Sequence, residues 1–167
     1  VYEYCQITTE NHLFALSYPH CIEDINAHIV GEGYDGENPL FINGETVIDL
    51  DEAERVIALS EGDRERNQSM DMTIGLKNND SSILEMLLVD FKFRMPNPEN
   101  FKQVNMKGKV AGSSNILGSS VNIRSEYIFI VQSNLVEQAR SRLARMIPII
   151  PTAYTAMSID DLKAKFF

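Results

Sequence analysis

Apolar and polar residues alternate along Met70-Asp71-Met72-Thr73-Ile74-Gly75-Leu76, with Met70, Met72, Ile74 and Leu76 on one face, and this period of two predicts a half-buried strand. Lys77 to Ser82 reads as the turn that follows. The next run, Ile83 to Met95, is apolar on both faces from Leu84 to Val89, the pattern of a strand in the middle of a covered sheet. Tyr127 to Val131 predicts another short, apolar strand. Helical spacing separates these runs. Ala53, Val56, Ile57 and Ser60 make one face of a helix from Asp51 to about Glu61. Val136, Ala139, Leu143 and Met146 make the core stripe of a second, which opens at Ser133 and is ended by Pro148 and Pro151. Asn97-Pro98 supplies an N-cap and a first-position proline for a helix through Phe101 and Val104 toward Ala111.

Weaker local signals cover the two ends. Tyr2 to Thr8 alternates and predicts a strand. Pro19, Glu23, Asp24 and Gly31 suit the two ends of a helix from His20 to Val30, with Ile22, Ile25 and Ile29 as its apolar stripe. Leu40-Phe41-Ile42 and Thr46-Val47-Ile48 flank Asn43-Gly44, the favoured pair for a two-residue hairpin turn. Ile149 to Ala156 predicts an edge strand, and Ser158 caps a short terminal helix. Gly112-Ser113-Ser114 and Gly118-Ser119-Ser120 suggest a flexible loop. Neither is a Walker loop, since no Gly-Lys-Ser/Thr follows, and Ser119 and Ser120 lack the His and the elbow of an acyl-transfer nucleophile. From residue 51 the order is helix, strand, strand, helix, strand, helix, which predicts an α/β fold with a mixed central sheet flanked by helices.

At 167 residues, 44% hydrophobic and 23% charged, the chain has the size of one domain. Residues 1–50 are expected as an acidic N-terminal extension packed on a core of residues 51–147, with residues 148–167 adding the last strand and helix. No apolar run approaches the roughly 20 residues of a membrane span. Val1 to Ile7 shows no signal peptide, and the missing initiator Met predicts a trimmed N-terminus. Cys5 and Cys21 are too few for a disulfide framework, so a reducing cytoplasm is expected. A net charge of −9 argues against a phosphate-rich partner until its distribution is counted. Residues 1–54 hold twelve acids and no Lys or Arg, whereas residues 91–167 hold eleven basic residues against five acids. The basic part suits nucleic acid. The acidic part suits a basic protein partner or a homodimer contact, and the alternative function is a non-catalytic interaction module working through residues 1–54.

Asp90 and Lys92 are two apart on a strand and so project from one face, where the apolar run turns polar. Pairing of the two central strands puts Asp71 across from Asp90, so that two carboxylate oxygens can share one Mg²⁺ or Mn²⁺ with water and a phosphate oxygen. The Phe91 carbonyl is a further candidate ligand. Lys92 would then orient or help deprotonate a water and offset charge in the transition state of phosphodiester hydrolysis.

An Asp at the start of one strand, eighteen residues, then Asp-x-Lys near the end of the next resembles the PD-(D/E)XK, or restriction-endonuclease-like, nuclease superfamily. The resemblance spans residues 51–147. Ser69-Met70 stands where a Pro often precedes the first acid, and Asp90 where Glu is more frequent. The resemblance implies a restriction-endonuclease-like core, a metal-dependent nuclease acting on DNA or RNA, and a Glu from the preceding helix joining the site. Glu54 and Glu61 are the candidates for it, with Glu65 a third. Lys102, Lys107 and Lys109 on the following helix could hold backbone phosphates. Arg140, Arg142 and Arg145 read as a solvated face, and His12, His20, Cys21 and His28 match no zinc spacing.

Overall fold

The computed structural model of the chain describes residues 1–147, 149 and 153–167. Its elements run β1 (Tyr2–Tyr4), α1 (Gln6–Glu10), α2 (Leu13–Ser17), β2 (Ile22–Asp24), α3 (Ile25–Gly31), β3 (Thr46–Asp49), α4 (Leu50–Ser60), β4 (Met72–Asn78), β5 (Leu84–Phe91), α5 (Gln103–Leu117), β6 (Asn122–Ile130), α6 (Val136–Ala144), β7 (Tyr154–Met157) and α7 (Ile159–Phe166). The strands form one seven-stranded mixed sheet in the order β2-β3-β4-β5-β6-β7, with β1 also paired to β4. From β2 to β5 each strand is antiparallel to its neighbour, and β5, β6 and β7 run parallel. Parallel neighbours need a crossover, and α5 and α6 supply the two. The fold is thus α/β, a mixed sheet flanked by helices.

Both faces of the sheet are covered. Met86, Leu88 and Phe129 pack with Ala53 of α4, Met106 and Ile116 of α5, and Ala139 and Leu143 of α6. On the other face Met72, Ile74, Leu87 and Val89 pack with Ile25 and Ile29 of α3 and with Ile159, Leu162 and Phe166 of α7. This double cover is why β5 is apolar on both sides. It also buries β4 more deeply than its alternation predicts. Thr73 satisfies its hydroxyl on the Leu87 carbonyl at 2.8 Å. Gly75 lies under α1, where a Cβ would come 2.6 Å from the Thr9 backbone nitrogen.

Contact at Gly75 also ends the first strand early. The Cys5 N–H donates to the Gly75 carbonyl and the Gly75 N–H donates to Thr9 Oγ1, each at 2.8 Å, so the expected strand Tyr2–Thr8 stops at Tyr4 and turns into α1. β1 and β3 therefore share one edge of β4, β3 opposite Met72 and Thr73 and β1 opposite Leu76 to Asn78. The helix expected from His20 to Val30 divides into a 3₁₀ turn (Pro19–Cys21), β2 and α3, whose N-cap is Asp24. Residues 1–50, expected as an extension, thus contribute three strands to the sheet.

The hairpin at Asn43-Gly44 does not form, although Gly44 keeps φ +73°. Its first arm is not a strand because the Asn26 side chain takes its backbone groups: Oδ1 accepts from the Leu40 and Phe41 N–H groups at 2.9 Å each, and Nδ2 donates to the Phe41 carbonyl at 2.8 Å. β3 pairs with β2 and β4 instead. The helix expected at Asn97 begins at Gln103, because Asn97 caps only a 3₁₀ turn (Pro98–Asn100). The expected loop at Gly112-Ser113-Ser114 is helical. Ser113 is buried there, donating to the Lys109 carbonyl and accepting from the Met70 N–H at 2.8 Å each. Gly118, at φ +64°, ends α5. At the C-terminus β7 lies beside β6, and α7 carries the expected Ser158 cap, reciprocated by Asp161. Positions 148 and 150–152, including Pro148, Pro151 and part of the expected strand Ile149–Ala156, lie outside the described residues. Among the described residues no helix is long and apolar enough to cross a membrane.

Candidate functional site

The antiparallel register that pairs Met72 with Val89 brings Asp71 opposite Asp90 just beyond the end of β4. Backbone bonds fix Asp71 from both sides: its N–H donates to the Val89 carbonyl at 3.1 Å, and its carbonyl accepts from Leu50, the first residue of α4, at 3.0 Å. Its side chain is fixed too, with Oδ2 accepting from the Phe91 N–H at 2.5 Å. Lys92 continues β5 and donates its N–H to the Ile130 carbonyl of β6 at 2.7 Å. The three motif residues are therefore held by rigid neighbours in the sheet.

Asp90 is fully buried, and each of its oxygens faces an ammonium group. Lys92 Nζ lies 2.5 Å from Oδ2, and Lys109 Nζ lies 2.5 Å from Oδ1 and 3.8 Å from Asp71 Oδ1. Asp71 is 6% exposed. Burial, reinforced by the negative charge of Asp90, pushes its carboxyl up to about 8, against the pull of Lys109 and the Phe91 N–H. Burial alone would lower the Lys109 ammonium, but Asp90 and Asp71 outweigh it and hold the group up at about 12.

Two further acids stand beside Asp71. Oxygens of Glu32, Asp51 and Asp71 lie within 4.8 Å of one another. Glu32 follows α3, and its carboxyl is raised, chiefly by burial, with Asp51, Asp90 and Asp49 adding to the effect and His28 opposing it. Asp51 sits in the first turn of α4 and accepts from Ser69 Oγ at 2.8 Å. Hard carboxylate oxygens at this spacing are the donor set that suits Mg²⁺ or Mn²⁺.

The acids expected from the preceding helix lie elsewhere. Glu54 is buried but held by Arg64 Nη1 at 2.6 Å and by the Asn67 N–H at 2.9 Å. Glu61 pairs with the same Arg64, and both line a separate cavity. Glu65 likewise offers Arg64 its carbonyl, at 2.9 Å. Of the three lysines on α5 and its approach, Lys109 enters the site, Lys102 lines the adjoining cavity and Lys107 is exposed. Arg140 and Arg142 donate to the Ala156 and Phe101 carbonyls, and Arg145 pairs with Glu99 at 2.6 Å. The histidines stay apart: His28 meets Glu23 at 2.9 Å, and His12 accepts from the Phe14 N–H at the start of α2 through Nδ1 while its Nε2 lies 3.3 Å from Ser120 Oγ, so Ser120, expected to lack a His, has one beside it.

Sequence reasoning missed Glu32 and Asp51, and it assigned Lys109 to backbone phosphates without placing it against Asp90. One signal for Lys109 was present in the chain. Gly108 and Gly112 are one turn apart, and an added Cβ at either would overlap Gln68, on the segment leading to Asp71. Small residues at that spacing mark close packing, and Lys109 stands between them. Comparison with family models, with curated proteins and with solved structures found no match to this chain.

Proposed function

We propose that this chain is a metal-dependent nuclease of the PD-(D/E)XK kind, hydrolysing phosphodiester bonds of DNA or RNA with Mg²⁺ or Mn²⁺. The observation that carries the reading is the convergence of Asp71, Asp90 and Lys92: two carboxyl groups opposed across an antiparallel pair, with Lys92 Nζ 2.5 Å from Asp90. The order α4, β4, β5, α5, β6, α6 supports it, being the helix-strand-strand-helix-strand-helix order that the resemblance implies.

The donor set fits a divalent cation. Asp71 and Asp90 would hold it, with Glu32 and Asp51 as additional carboxylates, and the Phe91 carbonyl remains the proposed backbone ligand. When bound, the cation supplies a more acidic water and Lewis-acid stabilisation of charge on the phosphate oxygens. Lys92 orients the attacking water and offsets negative charge as the water oxygen bonds to phosphorus and the bond to the leaving oxygen breaks. Rigid backbone bonds at Asp71 and Lys92 supply the positioning on which such catalysis depends.

The test is Mn²⁺- and Mg²⁺-dependent cleavage of single- and double-stranded DNA and RNA by the wild type, Asp90→Asn and Lys92→Ala. Cleavage by the wild type that falls by at least about a hundredfold in both variants is expected. Equal background in all three overturns the reading.

A further inference from the structure

Asp90 carries more positive charge than one buried carboxylate requires. Lys92 already contacts Oδ2, from a backbone fixed to β6, while Lys109 reaches Oδ1 from α5 and also approaches Asp71 at 3.8 Å. The Lys109 ammonium therefore lies between the two carboxyl groups that would hold the divalent cation. An ammonium and a divalent cation repel each other, and both cannot share Asp90 Oδ1. Lys109 also has somewhere to go. A cavity of about 120 Å³ adjoins the pair, with Gln68, Lys92, Asn100, Lys102 and Asn105 on its polar wall beside Asp90 and Lys109 and apolar side chains such as Phe101 completing it. Apart from Asp90, its polar side chains are amides and ammonium groups, a lining that suits the oxygens of a phosphate. The lysine side chain is long and flexible enough to turn from one wall to the other.

We propose that Lys109 is the internal counter-ion of the metal site, neutralising Asp90 in the cation-free chain and turning into the adjoining cavity on cation binding to contact a substrate phosphate. The inference rests on the nuclease reading above and deepens it. Lys109 then couples two binding events, since the cation and the phosphate both favour its outward position.

The experiment measures free Mn²⁺ by electron paramagnetic resonance during titration of the full chain, Lys109→Met and Lys109→Arg, without nucleic acid and then with a short phosphorothioate-linked DNA strand. Lys109→Met is expected to bind Mn²⁺ about tenfold tighter than the wild type, because the competing charge is gone, and Lys109→Arg to stay near the wild type. The DNA strand should tighten Mn²⁺ binding in the wild type and do so much less in Lys109→Met. A second measurement needs no variant protein in the folded state: the Lys109 Nζ resonance of ¹⁵N-lysine-labelled wild type, followed during Mg²⁺ titration, is expected to move as the group leaves Asp90. Unchanged or weaker Mn²⁺ binding by folded Lys109→Met, or a Lys109 resonance that stays put while Mg²⁺ binds, overturns the inference and leaves the nuclease reading standing. Failure of all three proteins to bind Mn²⁺ overturns both.

Discussion

Asp71 and Asp90 oppose each other across β4 and β5 but are satisfied differently: Asp90 has an ammonium 2.5 Å from each oxygen, whereas Asp71 has the Phe91 N–H at 2.5 Å and its lysine only at 3.8 Å. Asp71 is thus the less compensated of the two. Its carboxyl rises to about 8, while two cations compensate its neighbour. A buried carboxyl raised in this way is a recurrent property of sites that handle protons or cations.

That shift has a sign in the stability of the cation-free chain. Below the ordinary carboxylate value of 3.8 both folded and unfolded chains hold the Asp71 proton, so the group has no effect there. Between 3.8 and about 8 the unfolded chain has released the proton and the folded chain retains it, so stability falls as pH rises and stays low above that window. Asp71→Asn keeps an acceptor for the Phe91 N–H and removes the titration. Its melting temperature should match the wild type near pH 3 and exceed it at pH 8, in thermal melts across that range without divalent cation. An offset that does not change with pH would refute the assignment.

The helix glycines give a prediction about packing. Gly→Ala inside a helix ordinarily stabilises it by about 1 kcal/mol. At position 112 the new Cβ overlaps the Gln68 carbonyl oxygen, which is backbone, whereas at 108 it meets only the tip of the Gln68 side chain. Gly112→Ala should therefore destabilise the chain by about 1–3 kcal/mol, and Gly108→Ala should stay within about 1 kcal/mol of the wild type. Urea denaturation of the two variants, compared at equal m-value, decides it. A neutral Gly112→Ala would mean that α5 does not press on the segment before Asp71.

What the sequence made legible follows from the range of the interactions involved. β4 and β5 were readable because their pattern reflects the sheet itself, and Asp90 and Lys92 share a face by strand period alone, whereas the place of Asp71 opposite Asp90 also needs the antiparallel register of the two strands. The order from α4 to α6 was readable for the same reason. The hairpin at Asn43-Gly44 failed because Asn26, fourteen positions before Leu40, captures the backbone that the turn would have paired. Glu32 was invisible because α3 meets Asp71 only through the folded chain, and Asp51, though it shares α4 with Glu54, was passed over because the local reading favoured Glu54 and Glu61. Their diversion depends on Arg64, a partner beyond the end of that helix.

Asn26 makes the correction at the hairpin testable. Asn26→Ala strips the Leu40 and Phe41 N–H groups and the Phe41 carbonyl of their partner, on a residue whose side chain is buried in the core. Leaving such groups unpaired costs about 1–3 kcal/mol apiece where water cannot replace the partner, so an overall loss of about 2–4 kcal/mol is expected. The local signature is faster amide hydrogen exchange at Leu40 and Phe41 than at β4 in the same variant. Unaltered exchange at these two amides would show that Asn26 is not what holds the segment.

The acids beside Asp71 provide a way to separate the local from the tertiary reading of the site. Glu32 and Asp51 approach Asp71 within 4.8 Å, whereas Glu61 is committed to Arg64 in another cavity. If the cation is held where Asp71 meets these acids, Glu32→Gln and Asp51→Asn should each weaken Mn²⁺ binding by about ten- to a hundredfold, the range found for groups that support metal ligands. Glu61→Gln should leave Mn²⁺ binding within about threefold of the wild type, since it removes an exposed partner of Arg64 and no charge near Asp71. Calorimetric titration of the three variants at one pH makes the comparison, with thermal melts to verify that each is folded. The reverse order, with Glu61→Gln the weakest binder, would move the third acid to the C-cap of α4 and reject a site built on Glu32 and Asp51.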